Sequence, residues 1–111
     1  MSQILLVLTC LPDPADAERL AATLVENGLA ACVNILAPCR SVYRWRGKLE
    51  TATEIPLFIK THADRYEELQ AAIRNQHPYD LPEIIAFPVD RGLPAYLDWV
   101  RQETEKSWLA C

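Results

Sequence analysis

With 111 residues, half of them hydrophobic and 23% charged, the chain has the make-up of one globular domain spanning 1–111, with a single core. Its formal charge of −4 argues against nucleic acid as a partner, and no apolar run reaches the ~18 residues that a bilayer-spanning helix needs. Cys10, Cys32, Cys39 and Cys111 form no CxxC pair and no zinc spacing, and Ile4 to Leu8 is too short and lacks the basic leader of a signal peptide, so reduced thiols in a cytoplasm are expected.

The opening run Ile4-Leu5-Leu6-Val7-Leu8 is apolar at both parities, which predicts a strand covered on both faces. Pro12 stops it. Asp13-Pro14 then supplies a helix N-cap and a proline suited to the first turn. Ala17, Leu20, Ala21, Leu24 and Val25 form the buried stripe of that helix, and Gly28 ends it.

A long β-rich stretch follows. It reads as a strand from Leu29 to Leu36, an interruption at Ala37-Pro38, a strand from Ser41 to Trp45, a turn at Arg46-Gly47-Lys48, and a return strand to Thr61. At roughly 3.3 Å per residue, an arm of about a dozen residues would span about 40 Å, against a radius of gyration near 13 Å for a compact chain of this length. Part of the hairpin should therefore project past its own core, carrying Val42, Tyr43, Trp45 and Leu49 as a contiguous apolar patch. Such an arm is suited to packing on another subunit, with Tyr43 and Trp45 as the anchors, although the same two rings could line a ligand pocket. Pro56 cannot donate to a ladder, so an edge position or a bulge is expected there.

Thr61 and Asp64 fit the start of a second helix, with Tyr66, Leu69 and Ile73 buried and Pro78 as its stop. Glu83 to Val89 reads as a last strand. Asp90-Arg91-Gly92 turns, and Leu93, Leu97 and Val100 form a final helical stripe. The order β, α, β, β, α, β, α predicts an α+β ferredoxin-like βαββαβ sandwich with a long central hairpin and a C-terminal helix. Helices on one face leave the other face apolar and bare, so association through that face is expected.

Several blocks bear a family resemblance. Gly28-Leu29-Ala30-Ala31-Cys32-Val33-Asn34-Ile35, Ser41 to Glu50, Ile59-Lys60-Thr61, His77-Pro78-Tyr79, Leu81-Pro82-Glu83-Ile84-Ile85 and Ala95-Tyr96-Leu97-Asp98-Trp99 are similar, in order, to the CutA family of divalent-cation tolerance proteins. The resemblance runs from about Leu8 to Val100. It implies a cytoplasmic homotrimer of ferredoxin-like subunits whose hairpins pack strand to strand, a role in divalent metal tolerance, and weak binding of copper or another divalent ion.

The ligands proposed for that family resemble a cysteine near the end of the first strand and a His-His pair before Pro-Tyr. Here Thr9 stands at the aligned strand position with Cys10 beside it, and Gln76 replaces the first histidine. What the resemblance leaves is Cys10 and His77 as metal ligands, a thiolate and an imidazole that both suit copper(I). His77 before Pro78 equally suits a helix end, where it would cap carbonyls. Lys60, Tyr79 and Glu83 would make a polar cleft at a subunit boundary; for Lys60 and Glu83 a plain solvated ion pair is the alternative.

No phosphate-binding glycine loop, catalytic triad spacing or His-x-x-His motif is present, so no enzyme is expected. The alternative function is a P-II-like trimeric module that senses small molecules in clefts between subunits, an analogy of fold alone.

Overall fold

The computed structural model describes residues 3–105; Cys111 lies outside them. Five strands and three helices follow the expected order: β1 (Ile4–Leu11), α1 (Pro14–Glu26), β2 (Cys32–Ile35), β3 (Cys39–Trp45), β4 (Lys48–His62), α2 (Tyr66–Gln76), β5 (Ile85–Pro88) and α3 (Pro94–Glu103). The sheet order is β2-β4-β1-β5, every neighbouring pair antiparallel, with β3 continuing along β4 beyond β2. This is the ferredoxin-like arrangement, with β4 and β1 central. The hairpin does project. The chain measures 46 × 29 × 23 Å, with a radius of gyration of 14.7 Å.

Local chemistry explains the boundaries. Asp13 Oδ1 accepts a 2.8 Å bond from the Ala15 N–H, and Pro14 occupies the first turn, where its missing donor costs nothing. Gly28 takes a φ of 68°, a left-handed conformation that a side chain resists, and so ends α1. The second helix starts differently from expectation. Thr61 is still inside β4 with its side chain buried, so it cannot cap. A 3-10 turn, Ala63–Arg65, intervenes, and the extended His62 that precedes it makes no side-chain cap bond.

One side of the sheet carries the main core. Val7 and Leu11 of β1 and Ile55, Leu57 and Ile59 of β4 meet Leu20 and Leu24 of α1 and Leu69 and Ile73 of α2. Val25 falls outside this stripe and is exposed. The other side is not bare along its whole length. Helix α3 crosses it, burying Val100 against Ile4 and Ala31, with Leu97 packed alongside and Leu93 left in solvent. A buried polar pin holds the end of α3: Thr104 Oγ1 donates to the Val100 carbonyl at 2.7 Å and therefore accepts from His62 Nδ1–H at 2.6 Å. The expectation of helices on one face only is corrected to that extent.

Beyond α3, no described residue covers the second side. Cross-strand partners share a face, so Leu6 and Leu8 of β1 stand beside Phe58 of β4 and Phe87 and Ile85 of β5. Phe87 and Ile85 are 48% and 42% exposed, and Tyr96 and Trp99 of α3 extend the apolar strip.

Pro56 sits on a central strand, not an edge. Its carbonyl accepts from Leu36 N–H at 2.9 Å, so its absent N–H points to the same side, toward the break between β2 and β3. There Leu36, Ala37 and Pro38 lie opposite only Ile55 and Pro56, a one-residue bulge on the facing chain. The slip reverses every side chain of β3 relative to β2. At the tip, Arg46 and Gly47 have φ of 51° and 80°, the paired left-handed residues of a two-residue hairpin turn.

Candidate functional site

The bulge decides what faces Cys10. On β4, Pro56 and Glu54 share a face with Cys10 of β1, and the slipped register places Cys39, Ser41, Tyr43 and Trp45 on that face too. Val42 and Leu49 point to the opposite face, so the expected contiguous patch is two separate ones. Tyr43 and Trp45 form one wall of a cleft of about 650 Å³, the segment from Pro78 to Glu83 forms the other, and Cys10 lies at its floor. Glu54, Asp80 and Glu83 supply three carboxylates to the lining.

That second wall is held by His77. Its Nε2–H donates to the Cys10 carbonyl at 2.6 Å, while Nδ1 accepts from the Tyr79 N–H at 3.2 Å. The ring is buried and packs 4.9 Å from the Tyr79 ring. Tyr79 then reaches across the cleft, its hydroxyl donating to Glu54 Oε2 at 3.3 Å. Burial and that carboxylate raise the Tyr79 pKa, so the phenol keeps its proton.

The expected pairing of Cys10 with His77 as metal ligands therefore takes another form. Both ring nitrogens of His77 are engaged by backbone groups, leaving no lone pair for a cation, and the residue meets Cys10 through its carbonyl instead of its sulfur. Cys10 and Glu83 both line the cleft. Burial, then the Glu83 and Glu54 carboxylates, push the Cys10 thiol up to about 12. A thiol held in that state is a poor nucleophile in the absence of a cation. Among the described residues no group of three or more His, Cys, Asp or Glu side chains is placed to hold one metal ion.

Lys60 is not part of the cleft. It lies opposite Leu6, several residues from the Cys10 end of β1, where its ammonium donates to Asn34 Oδ1 at 2.7 Å and stands 5.9 Å from the Tyr96 ring. Within the single chain, Tyr79 and Glu83 line this cleft and Lys60 lies outside it. Glu54 and Asp80 were not singled out as candidates in the sequence. Glu54 sits two residues before Pro56 on the face set by parity, a signal that becomes readable once the bulge is known.

Comparison with known proteins agrees with this architecture. The family model described as CutA1 divalent ion tolerance protein matches residues 5–103. Protein CutA of Mus musculus is 43% identical over 98 residues, covering 88% of this chain and 55% of the mouse protein. The homologue from Xenopus laevis is 44% identical over 84% of this chain and 61% of its own length, so the chain spans little more than half of these curated relatives. The divalent-cation tolerance protein of Archaeoglobus fulgidus is 42% identical over 85% of this chain and 91% of its own length. Among solved structures, the divalent cation tolerance protein of Thermus thermophilus superposes with a TM-score of 0.90 at 39% identity, covering 92% of this chain and 99% of that one. CutA of Xylella fastidiosa gives 0.90 at 43% identity over 94% and 100%. With fold, motif order and near end-to-end coverage in agreement, the chain belongs to the CutA1 divalent ion tolerance family.

Proposed function

We propose that this protein serves tolerance to divalent metals as a homotrimer, and that each subunit binds a soft cation weakly through Cys10 and Glu83. The observation that carries this reading is a buried thiol in a cleft that Glu54, Asp80 and Glu83 line. A thiol so disfavoured as a bare thiolate gives up its proton most readily in exchange for a positive ion. Loading copper(I) would form an S–Cu bond and release that proton, while Glu83 offers an oxygen beside it. Two ligands make a thin shell, which suits buffering better than storage. His77 positions Cys10 from behind.

Assembly is supported by the uncovered sheet side with Phe87, Ile85 and the Tyr96–Trp99 pair, and by the projecting arm. Cys10, Cys32 and Cys39 are unpaired, a state that a reducing cytoplasm preserves, whereas the Archaeoglobus fulgidus relative is described as periplasmic. Among the described residues, no helix is long and apolar enough to cross a membrane.

The test is native mass spectrometry during anaerobic titration with copper(I). Three chains per particle and about one copper per chain are expected, with the copper lost in Cys10→Ser and retained in His77→Ala. Undiminished copper in Cys10→Ser would remove the site from the account, and a monomer at micromolar concentration would remove the assembly.

A further inference from the structure

The cleft holds more negative charge than one small ion can use. Glu54 comes from β4 on one wall, while Asp80 and Glu83 come from the other, and among the described residues no basic side chain lines the space between them. Among the described residues no three candidate ligands are placed to hold one ion, and the carboxylates come from both walls of the cleft. A compact dication placed beside one of them leaves the rest unneutralised in a recess where the field is focused. A phosphate-bearing or nucleotide ligand would meet like charge from every wall.

Three of the uncharged lining residues are aromatic. Tyr43, Trp45 and Tyr79 present ring surface beside the carboxylates, and such faces take both methylene stems and ammonium groups. The Trp45 ring already accepts a cation, with the Arg46 guanidinium 5.4 Å from its centroid. A volume of about 650 Å³ falls within the range of small-molecule sites, about 300–1,000 Å³.

We propose that this cleft binds a linear aliphatic polyamine, its methylene segments lying along Tyr43, Trp45 and Tyr79 and its ammonium groups meeting Glu54, Asp80 and Glu83. The spacing of charge along such a chain suits carboxylates that come from both walls. The proposal goes beyond metal binding and needs no metal at Cys10.

Isothermal titration of the full chain, stripped of metal and in its native oligomer at low ionic strength, tests it with spermidine as the probe. One saturable site per chain is expected, weakened at least tenfold in Glu83→Gln and in Glu54→Gln and about three- to fivefold in Tyr43→Leu, as loss of one exposed cation–π contact implies. Magnesium at the same concentration should displace little of it. Circular dichroism and particle mass confirm that each variant is folded and assembled. Absence of saturable binding would overturn the proposal, as would full displacement by magnesium or binding indifferent to both glutamate variants. A cleft closed in the oligomer by the arm of another copy would appear as the first of these. Because copper is absent throughout, a failure here leaves the copper(I) reading standing, and the reverse also holds.

Discussion

The two halves of β4 make an instructive comparison. From Ile55 to Thr61 alternate residues are buried, and Leu57 and Ile59 have no exposed surface. From Lys48 to Thr53 the same two faces continue in the same strand, yet no residue is buried and Leu49 is 78% exposed. The backbone geometry does not separate them. What differs is that α1 and α2 lie over one half and that, among the described residues, no helix lies over the other. An apolar residue in a strand states which face it belongs to, and only the neighbouring layer decides whether that face is dry.

The largest effect should come from truncating matched leucines in the two halves. Leu57→Ala leaves a cavity under the helices and should lower stability by about 2–5 kcal/mol in urea unfolding. Leu49→Ala should stay within about 0.5 kcal/mol at dilutions where copies are apart. Equal losses there would break the comparison, because the arm would then be supported within a single chain.

A smaller effect is expected where the two halves join. His77→Ala removes the partner of the Cys10 carbonyl and of the Tyr79 N–H, and should cost about 1–3 kcal/mol in the same assay. The wall from Pro78 to Glu83 should loosen with it, read as faster hydrogen exchange at the Tyr79 amide. Unchanged exchange would mean that the loop holds itself without the imidazole.

The subtlest test compares thiols. Cys39, exposed on the arm, should alkylate first, and Cys10, buried at the floor, last. The folded Cys10 thiol keeps its proton up to about 12, whereas its reference value is 9.0. Between those values the unfolded chain binds fewer protons than the folded one. Its contribution to stability is therefore complete below pH 9.0 and drains away as pH rises toward 12. Cys10→Ala should flatten that alkaline decline, measured by thermal unfolding across the window. An unchanged slope would assign the decline to other groups.

Much of the fold was legible because its signals are local. Asp13-Pro14, Gly28 and the Arg46-Gly47 turn each state a backbone geometry by themselves, and the stripe of Leu20 and Leu24 reports its own buried side. Less of the site was legible. Thr61 looked like a cap because strand β4 runs on past the point where its pattern weakens. Lys60 and Glu83 both read as strand ends, but ladder register depends on the partner strand and sets Lys60 opposite Leu6. Tyr43 and Trp45 were recognised as important, but the face they occupy follows from a single extra residue near Pro38.

From its residues alone this protein determined its element order, its main core and its family, since periodicity, caps and turn chemistry act within a few residues of chain. Tertiary structure alone decided that α3 crosses the second sheet side and that His77 serves the backbone. It also turned the arm's aromatics toward Cys10. Those outcomes depend on register and on which surfaces meet, and a shift of one residue in a strand reverses them.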